Sequence, residues 1–245
     1  MKKIRVSAVS YTNTLPFLQG IKNSDVINDI DLSVDYPSEC ARKVMEDEAD
    51  MGIIPVAALA KMPTYHIIGD YCIGTKNYVD SVFIFSSKPI EQIQSLLLDK
   101  QSKTSNGLAR ILLKRYWKRN DVEILTEGEA DAYVLIGDRT FGKKEDVPYV
   151  YDLGHYWHEL TGLPFAFAVW VSNKPLPDAF NQKFNQALAE GVSRPDDVIP
   201  GLPVFPNFDY HVYLNENLDF NLDTDKRKAL KQYLEWYVED GLGSI

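Results

Sequence analysis

Short apolar runs alternate with helical stretches along this chain, and the alternation starts over half-way. Ile4–Val9, residues 31–35 ("DLSVD") and Met51–Pro55 ("MGIIP") have the length and character of strands. Helices are predicted between them, over 14–20 with Pro16 in the first turn, and over 37–48 with Ser38 as cap. Residues 79–86 ("VDSVFIFS") add a β-branched and aromatic strand. The order then repeats with a strand over 93–98, a helix over 105–119, strands over 122–125 and 132–136, a helix over 152–161 and a long apolar strand over 165–172 ("FAFAVWVS"). Helices over 177–190 and 223–240 close the chain, the last capped by Asp223 or Thr224. Its Ala229, Leu230, Tyr233, Leu234 and Tyr237 share one face. Strands separated by helices pair in parallel, because a parallel pair needs a long crossover. The expected class is therefore α/β.

An internal echo supports two lobes built on one plan. "EADMGIIP" begins at Glu48 and "EADAYVLIG" at Glu129; each is Glu-Ala-Asp, a short buried strand and a break. The expected division is residues 1–85 with 174–245 in lobe one and 86–173 in lobe two. The long strands near Val82 and Val169 are then the crossings, around 84–88 and 171–175. A ligand cleft between the lobes follows, near strand carboxyl ends and helix amino ends.

The chain of 245 residues is long enough for either one large domain or two lobes, and 45% hydrophobic with 25% charged residues is ordinary for a globular protein. A net charge of −9 leaves no basic surplus for binding phosphates of nucleic acid. An anionic ligand must be held by local donors instead. Cys40 and Cys72 form no metal spacing and read as reduced thiols. No run approaches the roughly 18 apolar residues of a membrane span. Met1-Lys2-Lys3 leads directly into a strand without a leader-like core, so the expected location is the cytoplasm. The oligomeric state is left open.

Three stretches have the chemistry of a site. Ser10, Tyr11, Thr12, Asn13 and Thr14 put five hydrogen-bonding side chains where a strand ends and a helix begins. A turn with a helix cap uses one or two, and the helix start favours an anion. Ser102, Thr104, Ser105 and Asn106 precede a strongly amphipathic helix. Ser105 alone could be its cap; the further hydroxyls and Asn106 suggest a cradle for a carboxylate. The spacing is not that of a phosphate loop. Asp138, after the buried strand ending at Ile136, could orient a ligand hydroxyl or cap a helix. His155 and His158 are followed by Glu159, which matches no zinc motif. No metal, nucleotide or other cofactor is called for.

The segments "AVSYTNTLPF", "EADMGIIPVAAL", "SKTSNGLARILL", "ADAYVLIGD" and "YDLGHYWHELTGLPFAFAVW", in this order, resemble the chorismate dehydratase family of the futalosine route to menaquinone. The resemblance runs from residue 4 to about 172. Thr12 and Leu15 depart from it, where the family often has Leu and Lys, so any substrate contact of that lysine is missing here. A sister enzyme of the pathway opens with a Ser-Pro-x-Pro-Asn type of motif, which this chain lacks.

The resemblance implies a periplasmic-binding-protein type II fold used as an enzyme, with chorismate as small-molecule substrate. Water is removed to give 3-[(1-carboxyvinyl)oxy]benzoate, and no cofactor is implied. Loss of a ring proton and the hydroxyl makes the ring aromatic, so positioning and oriented dipoles can supply much of the catalysis. Ser10, Tyr11, Asn13 and Thr14 become the lobe-one wall, with Asn13 the foremost catalytic candidate. Ser102, Thr104, Ser105 and Asn106 become the carboxylate cradle of lobe two. The base is either Asp138 or the substrate's own enolpyruvyl carboxylate. The alternatives are a non-catalytic binding protein for a small carboxylate, or the sensing domain of a regulator.

Overall fold

The computed structural model describes residues 3–244 and contains two five-stranded sheets. The first has the order β2-β1-β3-β10-β4, formed by β1 (Ile4–Val9), β2 (Ile30–Asp35), β3 (Met51–Pro55), β4 (His66–Thr75) and β10 (Phe165–Ser172). The second has the order β7-β6-β8-β5-β9, formed by β5 (Val82–Ser86), β6 (Ser95–Leu97), β7 (Glu123–Leu125), β8 (Ala132–Ile136) and β9 (Tyr149–Asp152). The helices are α1 (Leu15–Lys22), α2 (Pro37–Met45), α3 (Lys103–Arg115), α4 (Leu153–Thr161), α5 (Asp178–Val192), the short α6 (Tyr210–Val212) and α7 (Thr224–Glu239).

The two sheets follow one plan. Three strands run parallel, β2-β1-β3 in one and β7-β6-β8 in the other, and an antiparallel strand, β10 or β5, follows. The Glu-Ala-Asp echo sits at matching places, because β3 and β8 are each third in their sheets. Its purpose is visible in the hydrogen bonds. Asp50 accepts the N–H of Arg5 at the start of β1, at 2.8 Å, and Asp131 accepts the N–H of Gln94 just before β6, at 2.7 Å. Each carboxylate also binds a lysine two residues beyond the antiparallel strand: Lys174 reaches Asp50 at 2.6 Å and Lys88 reaches Asp131 at 2.7 Å. Both lysines belong to a second echo, Ser-x-Lys-Pro at 172–175 and 86–89, in which the Ser hydroxyl donates to the Lys carbonyl. One charge-assisted clamp thus fixes three strands at the same end of each sheet.

The sheets correct the expected division. β5 belongs to the second sheet and β10 to the first, so boundaries at 85/86 and 173/174 misplace one strand on each side. The crossings are the connections β4–β5 and α4–β10, not the strands near Val82 and Val169. An apolar run shows that a strand is buried but not which neighbours bury it. β4 and β9 were not expected at all. β4 is broken by Gly69 at φ 73° and is irregularly registered against β10, which spoils its alternation. Asp152 ties the first connection to the start of α4. Its buried carboxylate accepts the N–H groups of Val79 and Asp80 from the first, and of Gly154 and His155 at the start of α4. Burial pushes this carboxyl up to about 6, against the pull of those backbone donors.

Helix α1 is seated on α5 by glycines. A Cβ on Gly20 would lie 2.0 Å from the Ala187 carbonyl oxygen, and one on Gly191 2.0 Å from that of Pro16. Cys40 and Cys72 are buried free thiols. Among the described residues, no helix is long and apolar enough to cross a membrane.

The clamp carries a stability prediction. Asp50→Ala leaves the Arg5 N–H without its acceptor and leaves Arg5 and Lys174 only the exposed Asp47, at 3.4 and 3.1 Å, and should cost about 1–3 kcal/mol in denaturant unfolding at pH 7. The Arg5 hydrogen bond holds the Asp50 carboxyl well below the usual range, so its contribution is present above the unfolded value of about 4 and fades as pH falls below it. The gap between wild type and Asp50→Ala should therefore narrow from pH 5 to pH 2.5.

Candidate active site

Opposite the clamps, the carboxyl ends of the parallel strands deliver two turns to one place. β1 ends at Val9, Tyr11 stays extended, and a 3-10 turn over Thr12–Thr14 leads into α1 with Pro16 in its first turn. β8 ends at Ile136 and runs into a 3-10 turn over Gly137–Thr140. Gly137 has φ 61°, and a Cβ there would come 3.0 Å from the Tyr11 ring. Only glycine satisfies both the backbone and this approach.

The turns are bonded across the lobes. Thr12 donates its N–H to both Asp138 oxygens at 3.1 Å and its hydroxyl to Oδ2 at 3.0 Å. The Tyr11 hydroxyl donates to Gln101 Oε1, just before α3. The N–H of Ala57, in the turn after β3, donates to Thr104 Oγ1 at 3.1 Å. Burial raises the Asp138 pKa and the Thr12 donors oppose it. Burial likewise raises the Tyr11 phenol, with the Arg139 charge acting against it.

Between the turns lies a cavity of about 60 Å³. Tyr11, Asn13 and Thr14 line it from lobe one, and Ser102, Thr104 and Ser105 from the start of α3. Its apolar walls include Pro55, Ile73, Val82, Ile136 and Phe167. Among the described residues, no Asp, Glu, His, Lys or Arg lines it. Ser102 is the α3 cap: its Oγ accepts the Ser105 N–H at 3.1 Å and donates to Ser105 Oγ at 2.9 Å. Thr14 donates its hydroxyl to Asn13 Oδ1 at 3.2 Å.

Three expected residues lie elsewhere. Ser10 is exposed, and its N–H is spent on the Asp35 carbonyl at 3.0 Å, extending the strand pairing. Asn106 points to the other side of α3, where its amide brackets the backbone of Asp99 at 2.9 and 2.7 Å. Asp138 borders the cleft but both oxygens are held by Thr12. The sequence reading missed Ser81, which lines the cavity, and its partner Tyr213, whose hydroxyl donates to Ser81 Oγ at 3.0 Å. Tyr213 is fully buried, which raises its phenol strongly, while Ser81 and Asn13 pull it back. Gln101 and Phe167 were missed as well. Ser81 lies inside a run read as strand, and Tyr213 in a segment given no role; neither carries a motif. His155 stacks on Tyr78 at 4.2 Å and its Nδ1 meets Asn77 Oδ1 at 2.8 Å. Among the described residues, no group of three or more His, Cys, Asp or Glu could hold a metal.

A family model described as menaquinone biosynthesis matches residues 4–239, nearly the whole chain. The chain belongs to this family. A chorismate dehydratase of Thermus thermophilus is 28% identical over 234 residues, covering 81% of this chain and 83% of that protein. A chorismate dehydratase of Campylobacter jejuni is 26% identical over 238 residues, covering 93% and 94%. Among solved structures, a protein of Archaeoglobus fulgidus superposes with a TM-score of 0.76 at 17% identity, covering 98% of each chain. An alkanesulfonate-binding protein of Xanthomonas axonopodis bound to MOPS gives 0.63 at 15% identity, covering 98% of this chain and 93% of that one. The fold of this family member is thus the two-lobed one of periplasmic binding proteins.

The Thr12–Asp138 bond predicts how the lobes separate. Thr12→Val removes the hydroxyl donor at nearly constant size, and Asp138→Ala also strands the buried Thr12 N–H, at about 1–3 kcal/mol. Both should raise the radius of gyration in small-angle scattering, Asp138→Ala more. An unchanged radius in both variants would mean the other cross-lobe contacts suffice.

Proposed function

We propose that this chain is a chorismate dehydratase, acting without a cofactor in the cytoplasm and releasing 3-[(1-carboxyvinyl)oxy]benzoate and water. The observation that carries this reading is the cavity of neutral donors between the two lobes, in a chain of the menaquinone biosynthesis family. Chorismate brings two carboxylates and one hydroxyl that must leave. The Ser105 hydroxyl, which accepts from Ser102 and keeps its own proton to donate, suits one carboxylate at the α3 start, helped by the positive end of a helix dipole. Tyr11, Asn13, Thr14 and the Ser81–Tyr213 pair face it from the other wall.

Elimination needs a proton taken from the ring and a hydroxide stabilised as it departs. Asn13 supplies an amide that donates at every working pH, next to the cavity and to the Tyr213 phenol. We assign the leaving hydroxyl to it. Asp138 serves better as the bond between lobes than as a base, since Thr12 occupies both its oxygens. The proton then goes to the enolpyruvyl carboxylate of the substrate itself. Aromatisation supplies the driving force, and the enzyme supplies pose and dipoles.

The second reading is a non-catalytic binder of a small carboxylate. Among the described residues the cavity lining holds no ionisable acid, base or cation other than Tyr11, which favours it. Incubating the protein with chorismate and following the enolpyruvyl benzoate by mass spectrometry separates the two. Turnover is expected; tight binding of chorismate without product would make the protein a binder. Asn13→Ala should then lower kcat by about 10²–10³ with the fold intact, as loss of one preorganised donor does. Asn13→Asp keeps the size but sets a negative charge beside a dianion, and should raise KM as well.

A further inference from the structure

A second cavity, larger at about 160 Å³, lies on another face of α3. Lys103, Asn106, Gly107 and Arg110 share that face at helical spacing and line it together with Leu98, Asp99, Lys100, Thr126, Tyr237 and Leu242. In a chain of net charge −9, three cations and one acid converge here. The acid does not offset them, because buried Asp99 is neutralised by Arg139 at 2.7 Å and accepts the Gln101 N–H at 2.7 Å.

Arg110 is the informative residue. Each of the other arginines, 5, 42, 115, 119, 139, 194 and 227, forms an ion pair with Asp or Glu. Arg110 forms none among the described residues, although it is half-buried, and burial lowers its pKa. Asp240, whose charge reaches it, is committed to Lys114 at 2.5 Å and Arg115 at 3.1 Å. A planar fork of donors partly removed from water and left without an acceptor is a carboxylate or phosphate receptor in waiting.

The rest of the wall chooses between these. Leu98, Leu242 and the Tyr237 ring are apolar. Gly107 makes room for that ring, since a Cβ there would meet it at 2.6 Å. We propose that this cavity binds a small arene carboxylate, Arg110 and Lys100 holding the carboxylate while Leu98, Tyr237 and Leu242 cover the ring. Cavity and cleft share one turn of chain: Asn106 brackets Asp99, and two residues on Gln101 meets Tyr11 across the lobes.

The probes are benzoate and inorganic phosphate, titrated at constant ionic strength into isotopically labelled protein. The backbone amides of Thr126 and Leu242 report this cavity and not the cleft. Benzoate should shift them saturably, and phosphate should require at least about tenfold higher concentration. Arg110→Gln, which keeps a helix-compatible stem, should raise the benzoate Kd at least about tenfold, the range of a charge-assisted hydrogen bond. Lys100→Gln, at an exposed position, should raise it about two- to threefold. Non-saturating shifts in the wild type, or an unchanged Kd in a folded Arg110→Gln, overturn the proposal. If Arg110→Gln does not fold, an unchanged Kd in Lys100→Gln overturns it. Phosphate binding as tightly as benzoate overturns the choice of an arene ligand.

Discussion

Two carboxylates, Asp50 and Asp131, hold the strands of this protein in register. Each takes an N–H at the beginning of a neighbouring parallel strand and a lysine beyond the antiparallel one, so one side chain gathers three strands. A short strand such as β6, Ser95–Leu97, has few ladder bonds of its own to fix its register. A carboxylate anchored at one end supplies that constraint with charge-assisted bonds. The clamp occurs once in each lobe, built from the same residues in the same order, and it is the physical content of the sequence echo.

With one end fixed, the other end of the strands is free to carry irregular backbone. The turns after β1, β3 and β8 and the start of α3 all meet there. They are joined by Thr12 to Asp138, Tyr11 to Gln101 and Ala57 to Thr104, bonds that run from one lobe to the other. The cleft is therefore closed by polar contacts among neutral or singly charged groups, and what lines it is hydroxyl, amide and apolar surface. Such a lining suits a ligand that brings its own charges and needs orientation more than neutralisation.

Much of this was legible in the residues. The βαβ order gave the class and the two-lobe plan, and the density of hydroxyls at 10–14 and 102–105 marked the turns that line the cleft. What could not be read depends on pairing. Antiparallel partners of β5 and β10 are set by packing, so the crossings were placed one strand too far on. Ser10 and Asn106 have the same chemistry as their cavity-lining neighbours but face away, because one extends the β1–β2 pairing and the other lies two residues, a little over half a helical turn, round from Thr104. Ser81, Gln101 and Tyr213 reach the site through long-range contacts, and no local spacing announces them.

The central claim is that the substrate sits between the Tyr11–Thr14 turn and the start of α3. A crystal structure of the Asn13→Ala variant with chorismate tests it directly. The account predicts density for the ring between these two elements, one carboxylate within hydrogen-bond distance of Ser105, and the ring hydroxyl facing the position vacated by the Asn13 amide. Chorismate bound elsewhere, or in the cleft with its hydroxyl turned away from position 13, would contradict it.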